Sequence, residues 1–152
     1  MDRDTKIDLT GIEKREDNCD IYLYKKDKDS FFIDLQDILF APPEYWKLTT
    51  KEHEIICNGA GPKGWGWIVP DTIWGLNITH IAGIHDFGYY TGKTIEDKNE
   101  HDRIFLNNMV RWILYWTKWK IMKWLRLGRA QKYFSAVCIY GGPAFWKGKN
   151  EK

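Results

Sequence analysis

Acidic side chains are missing from the whole stretch 103–150, although the 152-residue chain carries 21 Asp and Glu. Cysteine is scarce as well: Cys19, Cys57 and Cys138 are odd in number and widely spaced. That excludes a disulfide framework and a zinc-ligand pattern, and leaves reduced, mostly buried thiols in a reducing compartment as the expectation. Cys57 has no neighbouring pattern that would make it a nucleophile. No apolar run approaches the roughly 18–20 residues of a spanning helix. The start, Met1-Asp2-Arg3-Asp4, lacks the apolar core of a secretory signal, so a cytoplasmic setting is expected. Repeats and low-complexity tracts are lacking too. At 18.1 kDa the chain has room for a single domain, 1–152, with one core.

What is present is globular in character, with 43% apolar, 29% charged and 16% aromatic residues, nine of them Trp. The net charge of +2 hides a division. Residues 1–102 hold 12 basic and 20 acidic groups, a net of −8, whereas 103–150 hold ten basic groups and no acid. A basic half points to a polyanionic partner, nucleic acid or an anionic lipid surface; the competing reading is that the two halves complement each other within the fold.

Along the chain, 1–50 reads as an acidic β-rich lead-in. Ile21-Tyr22-Leu23-Tyr24 and Phe31-Phe32-Ile33 flank a polar loop and predict a hairpin. Pro42-Pro43 then ends any regular element. The segment from Cys57 to Gly66 packs Gly59, Gly61, Gly64 and Gly66 into a loop whose backbone goes where side chains would not allow. A helix is predicted from about Leu76 to Tyr90, with Ile78, Ile81, Ala82, His85 and Tyr89 on one stripe and Asp86 about 100° round. A second helix is predicted from about Glu96 to Trp119. Its apolar stripe is Phe105, Leu106, Met109, Val110, Trp112, Ile113, Trp116 and Trp119, and Asp102 projects into the middle of it. A carboxylate there needs a partner, because an unpaired buried charge is very costly. The short turn at Thr91-Gly92-Lys93 makes the two helices antiparallel neighbours, which lets Asp102 face His85. A third helix follows Gly128 and is closed by Gly141-Gly142. The fold class expected is mainly α (α+β): two antiparallel helices, a Gly-rich loop and a short amino-terminal hairpin.

Beyond Trp119 the stripe breaks. Lys118, Trp119, Lys120, Lys123, Trp124 and Arg126 mix indole with positive charge, which suits a headgroup interface on anionic lipid. Nucleic acid competes for the same residues and ranks below lipid. The segment 120–152 is expected to be a basic helix and tail.

Asn58-Gly59-Ala60-Gly61, His85-Asp86-Phe87-Gly88-Tyr89 and His101-Asp102-Arg103-Ile104-Phe105, in that order and spacing, resemble the phospholipase A2 superfamily, including its compact disulfide-free viral forms. The resemblance covers about 56–110, within a loop-and-helix-pair region of 56–119. It implies that His85 is a general base activating water, that Asp102 orients the imidazole and steadies its charge, and that the Tyr89 hydroxyl bonds to the same carboxylate. It implies Ca2+ as cofactor, held by the Asp86 side chain and by backbone carbonyls at Cys57, Gly59 and Gly61; calcium takes roughly six to eight oxygens. The Gly59 amide would help hold the oxyanion. Phospholipid is the implied substrate and its membrane surface the partner.

The chain also departs from that family. Gly88 stands where the secreted enzymes carry a cysteine, which fits the disulfide-free branch. Pro62 follows the loop where a further glycine is often found, and Lys63 to Gly75 is an insertion-like stretch. The His-Asp-x-x-Tyr and Asp-Arg-x-Phe pieces are also similar to an uncharacterised phage and prophage protein family. A virion-associated, non-catalytic structural or interaction protein on the same scaffold is therefore the alternative. Taken alone, His85 and Asp102 also fit a core histidine bonded to a buried carboxylate; Asp86 and the glycine loop tip the reading toward a site. A nucleotide loop is excluded by spacing. A metal-dependent phosphohydrolase using His53 or His80 would leave the glycines unexplained. His53, His80 and His101 are expected at the surface or behind the site.

Overall fold

A computed structural model describes residues 35–57 and 70–149. Among them the chain is mainly helical with one small sheet, an α+β arrangement. The elements are a 3-10 turn at Leu35–Asp37, then α1 (Pro43–Trp46), α2 (Thr50–Ile56), β1 (Thr72–Ile73), β2 (Leu76–Asn77), α3 (Thr79–Thr91), α4 (Ile95–Trp116), α5 (Lys120–Tyr140) and α6 (Gly142–Trp146). The predicted hairpin at 21–33 lies outside the described residues.

Helices α3 and α4 carry the architecture. Thr94 starts α4 with a reciprocal cap: its hydroxyl accepts from the Asp97 amide, and the Asp97 carboxylate accepts from the Thr94 amide. The turn between the helices is so short that they must run antiparallel. Three contacts read off that direction: the Trp112 indole donates to the Asn77 carbonyl, His85 meets Asp102, and the His101 ring lies over Gly88. A Cβ at residue 88 would overlap that imidazole, so glycine is what lets the helices approach there. α5 returns along α4, with Lys98 reaching Val137 at one end and Thr117 meeting Arg126 at the other. The core between them holds Ile78, Ile81, Ile84, Phe105, Met109, Trp112 and Ile113, closed by Tyr45 and Trp46.

Several boundaries differ from expectation. α3 begins at Thr79 rather than near Leu76, because Leu76 and Asn77 pair with Thr72 and Ile73 across a two-residue turn. Both turn residues have positive φ, 46° at Trp74 and 74° at Gly75, as tight hairpin turns require. The Asn77 side chain then accepts from the Thr79 amide and opens the helix. α4 stops at Trp116, not Trp119, because the chain becomes extended at Thr117. α5 starts at Lys120, before Gly128, since the run from Lys120 to Leu127 consists of good helix formers and outweighs one interior glycine.

The described part of the lead-in is not β-structure. Residues 38–41 instead run along α4, where the buried Asn108 side chain accepts from the Phe40 amide and donates to its carbonyl. One side-chain amide thus does the work of a neighbouring strand. No helix among the described residues is long and apolar enough to cross a membrane.

Candidate functional site

The buried carboxylate of Asp102 is the centre of the cluster. His85 and Tyr89 stand one turn apart on α3, so both face α4. His85 Nε2 lies 2.9 Å from Asp102 Oδ1, and the Tyr89 hydroxyl donates to the same oxygen at 2.7 Å. The other oxygen, Oδ2, accepts from Lys98 Nζ at 2.6 Å. Lys98 also donates to the Val137 carbonyl of α5 at 3.3 Å. The imidazole is wedged between the rings of Tyr89 and Phe105, with centroids 4.1 and 4.7 Å away. Lys98 is the member the sequence reading missed. Its signal was the four-residue spacing to Asp102, which stacks the two side chains on one helix face.

Electrostatics set the protonation states. Burial pushes the Asp102 pKa up, but hydrogen bonds from His85, Lys98 and Tyr89 outweigh it and hold the carboxyl below its usual range. It is therefore ionised and can only accept. That assigns the proton of neutral His85 to Nε2 and the lone pair to Nδ1. Burial drives the His85 pKa down, the bond to Asp102 opposes this, and the charge of Lys98 adds to the lowering. The Tyr89 pKa is raised by burial and by its bond to Asp102, so it stays a donor. A neutral imidazole with a free Nδ1 and a fixed carboxylate behind it can take a proton from water.

Asp86 is the neighbouring feature. Among the described residues it makes no hydrogen bond and no ion pair, and its carboxyl is pushed up to about 7 by burial and by the charge of Asp71. Cys57 sits against the same part of α3, donating its thiol to the Gly83 carbonyl at 3.4 Å. Its pKa is pushed up to about 12 by burial and by the charge of Asp86, so the sulfur is a thiol rather than a ligand. A carboxylate near the Cys57 thiol with no partner among the described residues fits a hard, oxygen-preferring cation such as calcium. Gly59 and Gly61, the other two carbonyl positions, lie outside the described residues. No group of three or more His, Cys, Asp or Glu side chains with metal-site geometry occurs among the described residues.

The outer histidines take supporting places. His53 Nε2 is 3.0 Å from the Tyr45 hydroxyl. The His101 ring fills the space over Gly88, with a buried Nδ1 that has no hydrogen-bond partner among the described residues.

The proposed membrane residues divide. Trp119 and Trp124 are 81% and 73% exposed, with Lys118 and Lys120 exposed beside them and Lys123 half-buried. Ile121, 77% exposed, belongs with them and was missed because only indole and charge were sought. Trp119 leaves the apolar stripe to which its spacing assigned it, since α4 ends three residues earlier. Arg126 is half-buried, and its guanidinium donates to Thr117 Oγ1 at 2.8 Å and to the Trp74 carbonyl at 2.9 Å. Together with Arg129, whose guanidinium lies 5.6 Å from the Trp74 ring, it holds the β1–β2 turn. Comparison with family models, with curated proteins and with solved structures finds no match to this chain.

Proposed function

We propose that this protein hydrolyses the ester bonds of phospholipids in a calcium-dependent reaction, with His85 as the general base. The observation that carries the reading is the pairing of His85 with an ionised, three-fold hydrogen-bonded Asp102, next to a carboxylate, Asp86, that lacks a partner among the described residues. His85 Nδ1 takes a proton from the attacking water while oxygen bonds to the acyl carbon. The imidazolium so formed is stabilised by Asp102, whose position Tyr89 maintains. His85 then returns the proton to the departing alcohol oxygen as the acyl–oxygen bond breaks. Calcium, held by Asp86 with backbone carbonyls of the 57–61 segment, would supply polarisation of the ester carbonyl. The Gly59 amide is the proposed second stabiliser of the oxyanion. The substrate surface fits Lys118, Trp119, Lys120, Ile121, Lys123 and Trp124, where indoles meet headgroups and lysines meet lipid phosphates.

The test is release of fatty acid from mixed phosphatidylcholine and phosphatidylglycerol vesicles. Release should require calcium, and His85→Ala should lower it by a factor of about 1,000 or more. Activity that survives both EDTA and that substitution ends the reading.

A second reading is favoured by the position of Lys98. Through Asp102 and Val137 it ties α3, α4 and α5 together, as a polar knot in a non-catalytic phage-type structural or interaction protein would. Calcium titration separates the two. A folded protein with no calcium affinity, indifferent to Asp86→Asn, is the scaffold.

A further inference from the structure

We propose that Lys98 is a positioning residue that decides which ring nitrogen of His85 carries the proton. Its meaning for catalysis rests on the hydrolysis proposed above; its effect on the imidazole does not.

The two oxygens of Asp102 are divided between different kinds of donor. Oδ1 serves His85 and Tyr89, both neutral, and Oδ2 serves the Lys98 ammonium. Lys98 is 3% exposed and Asp102 is 1% exposed, so water does little to sustain either charge. Among the described residues Lys98 is the one Lys or Arg ion-paired with Asp102. Its placement is fixed at both sides, by Oδ2 on its own helix and by the Val137 carbonyl on α5. The remaining titratable groups facing Asp102 among the described residues are neutral: the His85 ring and the Tyr89 phenol of α3, the His101 ring of α4, and the Cys138 thiol of α5.

With the bonds from His85 and Tyr89, the ammonium holds Asp102 as an anion, and it is the charged one of the three donors. An anionic carboxylate can only accept, which forces Nε2–H and leaves Nδ1 as the base. Without the ammonium, the buried Asp102–His85 pair is best accommodated with one further proton, taken up from solvent. Whether that proton stays on Asp102, with the ring proton moved to Nδ1, or completes an imidazolium freed from the repulsion of Lys98, Nδ1 carries hydrogen. The base nitrogen is blocked although His85 and Asp102 still touch. Lysine suits this task because it has donors and no acceptor, so only an acceptor can occupy the facing position.

The experiment is long-range 1H–15N correlation on protein labelled at histidine, free of calcium and lipid, near pH 7, where burial already keeps the His85 imidazole neutral in the natural protein. In the natural protein His85 should show Nε2–H and an unprotonated Nδ1. Lys98→Met should show hydrogen on Nδ1, and a folded Lys98→Met that keeps a pure Nε2–H form at this pH overturns the proposal.

A neutral pair tests the same idea where loss of the lysine prevents folding. In Asp102→Asn, Lys98 must hold the amide oxygen, turning the amide NH2 toward His85 Nε2 and moving the ring proton to Nδ1. In Lys98→Met/Asp102→Asn the amide is free to turn its oxygen to His85 and Tyr89, and Nε2–H should return. The same tautomer in both variants overturns the proposal. Fatty-acid release measured alongside separates the two claims, because a natural protein with the fixed tautomer and no hydrolysis loses the reaction and keeps the positioning role.

Discussion

At the scale of single residues, four neutral histidines dominate the acid side of stability. His53, His80, His85 and His101 all have pKa values below the ordinary 6.5, each chiefly because burial disfavours the imidazolium. The unfolded chain thus binds more protons than the folded one once the pH falls through that value. Stability is then present above about 6.5 and is lost progressively below it. Asp86 acts in the opposite sense, since its raised carboxyl takes up a proton in the folded state first. The urea midpoint of Asp86→Asn should therefore fall more steeply between pH 7 and 5 than that of the natural protein. Equal slopes would mean that the carboxyl of Asp86 has an ordinary affinity for protons. The pairing of His85, Tyr89 and Asp102 was legible at this scale, because helical spacing alone puts them on facing stripes. The lack of a partner for Asp86 among the described residues was not, since it depends on what the neighbouring elements bring.

At the scale of elements, α3 and α4 follow from their own sequences. A capped start at Thr94, an apolar stripe and a short connection leave one way for the pair to pack. α5 is the element read short, and its interior Gly128 supplies a direct check. That residue is exposed, helical in backbone, and nothing lies within 4 Å of the Cβ it lacks. Gly128→Ala should raise stability by about 0.5–1 kcal/mol, read as a shift in the urea midpoint. A loss of stability would place residue 128 outside a regular helix. The strand pair at Thr72–Ile73 and Leu76–Asn77 was hidden for a different reason: Trp-Gly is a rare turn, and its positive φ at Trp74 persists with help from Arg126 and Arg129. Those side chains come from 52 and 55 positions further along the chain, far beyond any local pattern.

At the scale of the whole molecule, charge and exposed aromatics gather where α4 hands over to α5. Trp119, Ile121 and Trp124 stand in solvent beside Lys118 and Lys120, in a stretch from which acidic residues are absent. Sedimentation with vesicles rich in phosphatidylglycerol should carry the protein down. Trp124→Ala should weaken that binding about tenfold, and Lys120→Ala about fivefold, since one lysine near an anionic surface contributes about 1 kcal/mol. Arg126→Ala should act on stability instead, because its guanidinium is committed to Thr117 and Trp74. Binding that ignores the tryptophans and transfers to duplex DNA would assign the basic half to nucleic acid.

Sequence by itself determined what is periodic. The helical character, the faces of α3 and α4 and the inward setting of His85, Tyr89 and Asp102 repeat at the spacing of a helix turn, and burial of apolar surface then selects the face. Even the missed Lys98 obeys that rule. Tertiary structure decided what depends on distant neighbours. It gave Asp102 a third donor anchored on α5, left Asp86 without a partner among the described residues, tied Arg126 to a turn and sent Trp119 out to solvent. The physical reason is that a side chain's charge state and exposure are set by every element that reaches it, and only the packed fold says which those are.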